Sequence, residues 1–291
     1  MTNKHIKMTS HANPTIFITG CSTGIGHYTL KTLHAKGYHV IGSCRQEADV
    51  AKIRQMGISC LKLDLADSDS IHHAVDELLT MTEGKIDVLF NNGAFGLPGA
   101  VEDLSRDALR YQFETNVFGT QELTNLLVPV MRQNGGGKII YNSSILGFAA
   151  MAYRGAYNAS KFAIEGLADT LRLEVKQDNI HVSLIEPGPI LSDFRANSFN
   201  QYQRWIAGKP SAHQASYDSM IQRLEKEGAA APFTLGPEAV SDVVEKIIST
   251  NKPKIRYPVT FPTHLFAWLK RILPNRWLDA LLLKAGGNGK R

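Results

Sequence analysis

The 291-residue sequence predicts an α/β fold: a doubly wound parallel sheet of about seven strands, arranged in three α/β/α layers as a single domain with a C-terminal helical extension. Three observations lead there. Short β-branched runs alternate with longer stretches of helical period. The runs are largely apolar on both faces, as strands covered by helices on each side must be. Glycine-rich and polar turns follow the ends of the runs, where doubly wound sheets hold their ligands.

In order, the strands are TIFIT at 15–19, HVIGSC at 39–44, SCLKLDL at 59–65, DVLFNN at 87–92, KIIYNSS at 138–144, HVSLIEP at 181–187 and KIRYPV at 254–259. Helical period marks Ile25–Lys36, Ser70–Met81, Arg106–Gln133 and Tyr157–Lys176. A domain over 14–260 results, preceded by a polar tail at 1–13. Residues 195–235 carry Gly, Pro, Ser and Gln between weakly helical stretches, which fits either a substrate lid or a solvated insertion.

A chain of this length, 43% hydrophobic, buries a full core without a disulfide framework or structural metal. Its three cysteines, Cys21, Cys44 and Cys60, form no Cys-x-x-Cys pair, which points to a reducing cytoplasm. The start MTNKHIKMTSHANP is polar, unlike a secretion signal, and no run approaches the ~18 apolar residues of a membrane span. The net charge of +5 is uneven: residues 251–291 hold nine basic residues and one acid, a local +8, leaving the other 250 at −3. That asymmetry argues against nucleic acid as a partner of the domain.

The first strand runs into Thr19-Gly20-Cys21-Ser22-Thr23-Gly24-Ile25-Gly26 and then a helix. These glycines permit a tight turn and close backbone approach, so a pyrophosphate can sit against N–H groups at the positive end of the helix. A strand-to-helix turn with no ligand is the alternative. Cofactor type should be decided at the end of the second strand, where a carboxylate holds a ribose hydroxyl and an arginine holds a 2′-phosphate. Ser43-Cys44-Arg45 stands there with no acid before Glu47, favouring NADP(H) over NAD(H), with Arg45 offering a planar fork and Ser43 a hydroxyl. Asp64 ends the third strand and Asn91-Asn92-Gly93 the fourth, where adenine and its ribose would lie.

Among nine tyrosines, Tyr157 alone has a lysine four residues on, Lys161, one helical turn away on the same face. A nearby cation favours the phenolate and lowers a phenol from its usual value near 10, so Tyr157 is a candidate to exchange a proton with a carbonyl or alcohol oxygen. Ser144, thirteen residues earlier at the end of the fifth strand, can donate to that oxygen. Asn116 falls inside a long predicted helix, where its amide needs a partner. Each has an ordinary structural reading alone; together they point to one site.

These residues lie in motifs that resemble, in order, those of the short-chain dehydrogenase/reductase family: TGCSTGIG, LDL, NNGA, TNVFG, NSS, YNASK and EPGPI, within residues 14–260. The resemblance implies a Rossmann-like sheet, a nicotinamide cofactor and a catalytic set of Asn116, Ser144, Tyr157 and Lys161. Tyr157 would be the acid/base and Ser144 would orient the substrate. Lys161 would lower the tyrosine pKa and bond the nicotinamide ribose, and Asn116 would hold a water that relays protons from Lys161. Cofactor contacts would come from Gly20, Ser22, Thr23, Gly24, Ile25 and Gly26, from Ser43, Arg45, Asp64 and Leu65, from Asn91, Asn92 and Gly93, and from Pro187, Gly188, Ile190 and Ser192. No metal is implied. Ser192 replaces the usual threonine, and Gly93-Ala94 reverses the family's Ala-Gly order, for which a local backbone adjustment with retained activity is expected.

Within the family, the glycine turn and NNGAFGLPGAVEDL look most like the hydroxysteroid and retinol branch, implying a hydrophobic alcohol or ketone as small-molecule partner. Phe95, Leu97, Phe148, Met151, Phe194, Phe199, Tyr202 and Trp205 are candidates for its pocket or for plain packing. Family members form homodimers or homotetramers, and the same is expected here. In the extension at 261–291, residues 261–284 read as two amphipathic helices broken near Pro274. They would lie on an anionic membrane, at its inner face, or pack on the domain or a second subunit. Three functions are therefore open: an NADP(H)-dependent oxidoreductase, a cofactor-binding sensor without turnover, and a membrane-binding module. The Tyr157 set favours the first.

Overall fold

The computed structural model describes residues 13–225, 228–229 and 231–287. Residues 1–12 of the polar tail, and Lys290 and Arg291 of the basic extension, lie outside them.

Seven parallel strands form one sheet: β1 (Thr15–Ile18), β2 (His39–Cys44), β3 (Ser59–Lys62), β4 (Val88–Asn91), β5 (Gly137–Asn142), β6 (Ile180–Glu186) and β7 (Arg256–Pro258). Their order, β3-β2-β1-β4-β5-β6-β7, reverses between β1 and β4, where Ile16 pairs with Val88 and Ile18 with Phe90. Side chains alternate across the pleat, and both directions meet helices. Ile16, Ile18, Phe90 and Ile140 pack toward α1 (Gly24–Ala35), α2 (Glu47–Gln55) and α9 (Glu238–Ser249). Phe17, Leu89, Ile139 and Tyr141 pack toward α3 (Ser68–Met81), α5 (Thr120–Gln133) and α6 (Gly155–Glu174). This is the three-layer, Rossmann-like arrangement that the strand pattern predicts.

Three details differ from the sequence expectation. Helices α2 and α9 are added; α2 is nine residues long and buries only Val50 and Ile53, too little to display a repeat. The predicted helix 106–133 is interrupted: α4 (Arg106–Phe113) and α5 flank a π-helical segment, Glu114–Gly119. There Gly119 is pressed against the turn after β3, since a Cβ on it would fall 1.7 Å from the Leu65 carbonyl oxygen. The loosely patterned 195–235 region forms α7 (Phe194–Trp205) and α8 (Gln214–Glu225). Buried Tyr217 pins α8, accepting from the Ala100 backbone N–H at 2.9 Å and donating to Asp103. Two further helices, α10 (Phe261–Ile272) and α11 (Asn275–Ala285), end the described chain.

The last strand is held by charge as well as by β6. Arg256 donates to Glu165 (3.0 Å) and Asp169 (2.6 Å) on α6, and lies 3.2 Å from Glu186 at the end of β6. Burial, then the nearby Glu165 charge, pushes the Glu186 carboxyl up to about 7, against the pull of Arg256. The folded chain therefore holds this proton more tightly than the unfolded chain, and stability drains through Glu186 as pH rises from about 4.5 to about 7. Glu186→Gln removes that loss and leaves Arg256 two carboxylates. The variant should melt above the wild type by on the order of 1–3 kcal/mol of stability at pH above about 7, with the gap closing below about pH 5. Thermal melts across that range check it, and a pH-independent gap would contradict it.

Candidate active site

The carboxyl ends of β1, β4, β5 and β6 open onto one cavity of about 790 Å³. The glycine turn forms one wall. Gly20 (φ +70°) and Gly24 (φ +60°) take left-handed backbone conformations that allow the chain to double back into α1. The first turn of α1 has no acid and no side-chain cap, and Ser22 and Thr23 beside it are exposed. Its N–H groups and positive dipole end are thus presented to the cavity, a cradle suited to a pyrophosphate. Close approach is enforced at Gly26, where a Cβ would lie 2.3 Å from the Gly20 carbonyl oxygen and 2.5 Å from Asn92 Nδ2.

A polar staple holds that turn. Thr19 Oγ1 accepts from the backbone N–H groups of Asn92 (2.9 Å) and Gly93 (2.8 Å). Asn92 Nδ2 donates to the carbonyls of Thr19 (2.9 Å) and Gly20 (3.1 Å), and its Oδ1 accepts from Asn142 Nδ2 (2.9 Å). At the reversed Gly93-Ala94 pair the fit is close: Gly93 abuts Gly20, and a Cβ on Gly93 would meet Leu65 Cδ1 at 3.0 Å and Thr19 Oγ1 at 3.2 Å. Ala94 lines the cavity.

Helix α6 brings Tyr157 and Lys161 to the floor one turn apart. Lys161 is 4% exposed; its Nζ donates to the Asn142 carbonyl at 2.6 Å and lies 5.6 Å from the centre of the Tyr157 ring. Burial brings this lysine down to about 8, opposed by the Glu165 charge one turn further along α6. Tyr157 moves the other way: burial pushes its phenol up to about 12, although a hydrogen bond with Ser144 and the positive charge of Arg154 pull it down. The net direction is upward, because burial outweighs the groups that favour the phenolate. The ring stands among apolar groups, packed edge-on against Phe194 at 5.2 Å, and the ammonium is committed to Asn142. Ser144, at the end of β5, also accepts from the Leu146 N–H at 3.1 Å.

Of the predicted site residues, Gly20, Ser22, Thr23, Gly24, Ile25, Asn92, Gly93, Ser144, Tyr157, Lys161, Pro187, Gly188, Ile190 and Ser192 all line this cavity. Asn116 lies behind it. Its amide donates to the Phe95 carbonyl (2.9 Å) and Ser160 Oγ (3.1 Å) and accepts from the Phe95 N–H (3.1 Å), fixing the loop after β4 against α6. Arg45 stands exposed at the end of β2, with no ion-pair partner among the described residues. Asp64 accepts from the Ala66 N–H at 3.0 Å, and Leu65 is buried beside Gly93. Two residues turn away from the expected contact. Ser43 is buried and donates weakly to the Ile18 carbonyl (3.4 Å), within the sheet, and Asn91 donates to Thr124 Oγ1 (2.9 Å) under α5.

Leu97, Met151 and Phe194 line the cavity, whereas Phe95, Phe199, Tyr202 and Trp205 pack in the cluster under α7 and α8, and Phe148 packs beneath α10 and α11. Asn142 and the arginines Arg154, Arg195 and Arg223 of the lining, and the staple made by Thr19 behind it, are not foreseen from the sequence. Burial and the charge of Arg223 bring Arg154 down to about 9. Polar residues at strand ends were the available signal for Thr19 and Asn142.

A family model described as short chain dehydrogenase matches residues 14–203. The chain is 41% identical over 267 residues to the uncharacterised oxidoreductase YbbO of Escherichia coli K12, covering 92% of this chain and 93% of that protein. It is 32% identical over 269 residues to a 3-ketodihydrosphingosine reductase of Bacteroides thetaiotaomicron, covering 92% and 96%. A crystal structure of a short-chain dehydrogenase from Streptomyces avermitilis superposes with a TM-score of 0.74 at 24% identity, over 97% of this chain and all of that one. The chain belongs to the short-chain dehydrogenase/reductase family, whose members are oxidoreductases acting on CH–OH groups with NAD(P).

If the turn is the nucleotide cradle, Gly26→Ala must force it off Asn92. Nicotinamide-nucleotide affinity, followed by cofactor fluorescence, should fall on the order of 10- to 100-fold, the effect of overpacking by about 1–3 kcal/mol. Unchanged affinity would place the nucleotide elsewhere.

Proposed function

We propose that the protein is an NADP(H)-dependent oxidoreductase that reduces the carbonyl group of a hydrophobic substrate, with Tyr157 as the proton donor. The observation that carries this reading is one cavity shared by the glycine turn, Ser144, Tyr157, Lys161 and apolar walls that include Leu97, Leu146, Met151 and Met220. When bound, the nicotinamide supplies a hydride to the carbonyl carbon, or accepts one in the reverse direction. The Ser144 and Tyr157 hydroxyls hold the carbonyl oxygen and stabilise the charge that develops on it. A phenol near 12 is protonated at neutral pH, so Tyr157 donates its proton to that oxygen as the alcohol forms. The resulting phenolate is stabilised by the positive charges of Lys161 and Arg154, and it regains its proton from solvent. Asn116 acts as a positioning residue that fixes α6 and the loop at Phe95.

Arg45 supports NADP(H): its fork is exposed at the end of the strand beside the cradle, where a 2′-phosphate would be held. The remaining cofactor contacts would come from the lining residues Gly20, Ser22, Thr23, Gly24, Ile25, Asn92, Gly93 and the stretch 187–192, with Asp64 outside the lining. Relatedness to a 3-ketodihydrosphingosine reductase supports a long-chain carbonyl substrate. Exposed Phe118, Phe162 and Leu173, on the helices that carry Asn116 and Tyr157, support a homodimer formed through those helices. Three free cysteines, all buried, fit the reducing cytoplasm, and the C-terminal helices fit peripheral contact with the inner face of a membrane.

Tyr157→Phe should leave nucleotide binding within about twofold and lower turnover of a hydrophobic ketone by at least about a thousandfold, since both the proton and its donor are lost. Near-normal turnover would overturn the mechanism. Arg45→Asp should weaken NADPH far more than NADH in titration; equal losses would refute the phosphate assignment. Reductive kcat/KM should decline as pH rises through about 8, where Lys161 loses its charge. A flat profile up to about pH 10 would exclude a charged Lys161 from the rate.

A further inference from the structure

Helices α10 and α11 carry two apolar faces. One packs on the domain: Phe266, Leu278 and Leu282 join Ile145, Leu146 and Ala149, directly behind Ser144. The other faces solvent. On α10, Phe261, Leu265, Trp268 and Ile272 follow one another at i, i+4, i+7 and i+11, so they form a single exposed stripe. On α11, Trp277 and Leu281 continue to Lys284 with the same spacing. Trp268 is 59% and Trp277 68% exposed, unusual for tryptophan on a domain with a complete core of its own.

These stripes are continuous with the cavity. Phe261, Leu265, Leu281 and Lys284 are also cavity-lining residues, and exposed Phe233 on the cavity wall packs against Phe261 in a tilted pair at 5.1 Å between centroids. The apolar surface therefore runs from the cavity out past its mouth. Arg271, Arg276 and Lys284 are exposed beside it, and Asp279 is the one acid in residues 251–291. A second copy docked on this face about a twofold axis would bring two such basic clusters into one interface with only Asp279 from each copy's 251–291 segment to offset them. An anionic lipid surface supplies the countercharge, and interfacial tryptophans suit the headgroup level.

We infer that α10 and α11 seat the mouth of the cavity on an anionic membrane surface, so that a single-chain amphiphile with a carbonyl group enters from the lipid. The surface assignment stands on these residues alone, whereas the substrate it delivers rests on the carbonyl-reductase reading. The apolar stripes provide the partition into the interface, the cations select negatively charged lipid, and the stripe at Phe261 and Leu265 gives the chain an apolar path inward.

The test uses the full chain and a Trp268→Glu/Trp277→Glu variant, neither residue being part of the cavity wall. Wild type should be retained by phosphatidylcholine–phosphatidylserine vesicles at low salt, weakly by phosphatidylcholine alone, and released by added salt. The variant's vesicle partition should fall by at least about tenfold. Its NADPH oxidation rate with a long-chain ketone dissolved in those vesicles should fall in parallel, while the rate with a short water-soluble ketone is unchanged, which also shows that the variant is folded. Wild type that stays in solution beside anionic vesicles overturns the inference. So does a variant that reduces the lipid-borne ketone as fast as wild type, or a dimer that the variant splits without any vesicle retention. If neither ketone is reduced, the catalytic reading fails, and vesicle retention still decides the surface.

Discussion

Asn92 donates to the turn after β1 and accepts from Asn142 at the end of β5, and the Asn142 carbonyl holds the Lys161 ammonium. This chain of hydrogen bonds crosses the switch point of the sheet, between β1 and β4, whose ends open onto the cavity. Buried polar groups are costly unless paired, so each member fixes its neighbours. The glycine turn cannot shift without releasing Asn92, and the lysine cannot shift without releasing Asn142. The glycine turn and the Tyr157–Lys161 floor are thereby held at a set separation, although more than a hundred residues lie between them in the sequence.

Behind that floor the charges are layered. Lys161 sits over Glu165, which shares Arg256 with Asp169 and Glu186. Burial raises the carboxyls of Glu165 and Glu186, the latter to about 7, and lowers Lys161 to about 8. The proposed chemistry draws on the same burial: a dry site favours the protonated phenol of Tyr157, while the hydrogen bond with Ser144 and the charge of Arg154 pull toward the phenolate.

Much of this was legible in the sequence because the relevant constraints are local. Apolar runs give buried strands, and a tyrosine and a lysine four apart must share a helix face. What escaped reading depends on partners distant in the chain. Ser43 looks available at a strand end, but the pleat turns it toward Ile18 of the neighbouring strand. Asn116 reads as a misfit in a helix. Only the fold shows that the loop at Phe95 meets it in a widened π-helical turn. The direction of the Tyr157 shift depends on how dry the site is, a property of the assembled cavity that no spacing of residues encodes. Residues 195–235 looked loose because their helices bury mixed faces against one another and against the loop at 97–104.

Coupling of the glycine turn to the Tyr157–Lys161 floor is tested most directly by a double-mutant cycle of Asn92→Ala and Asn142→Ala, read as nicotinamide-nucleotide affinity. If the hydrogen-bond chain carries the coupling, either change alone removes most of the effect, and the pair is non-additive by on the order of 1 kcal/mol or more. Losses that simply add would show that the turn and the floor are held independently.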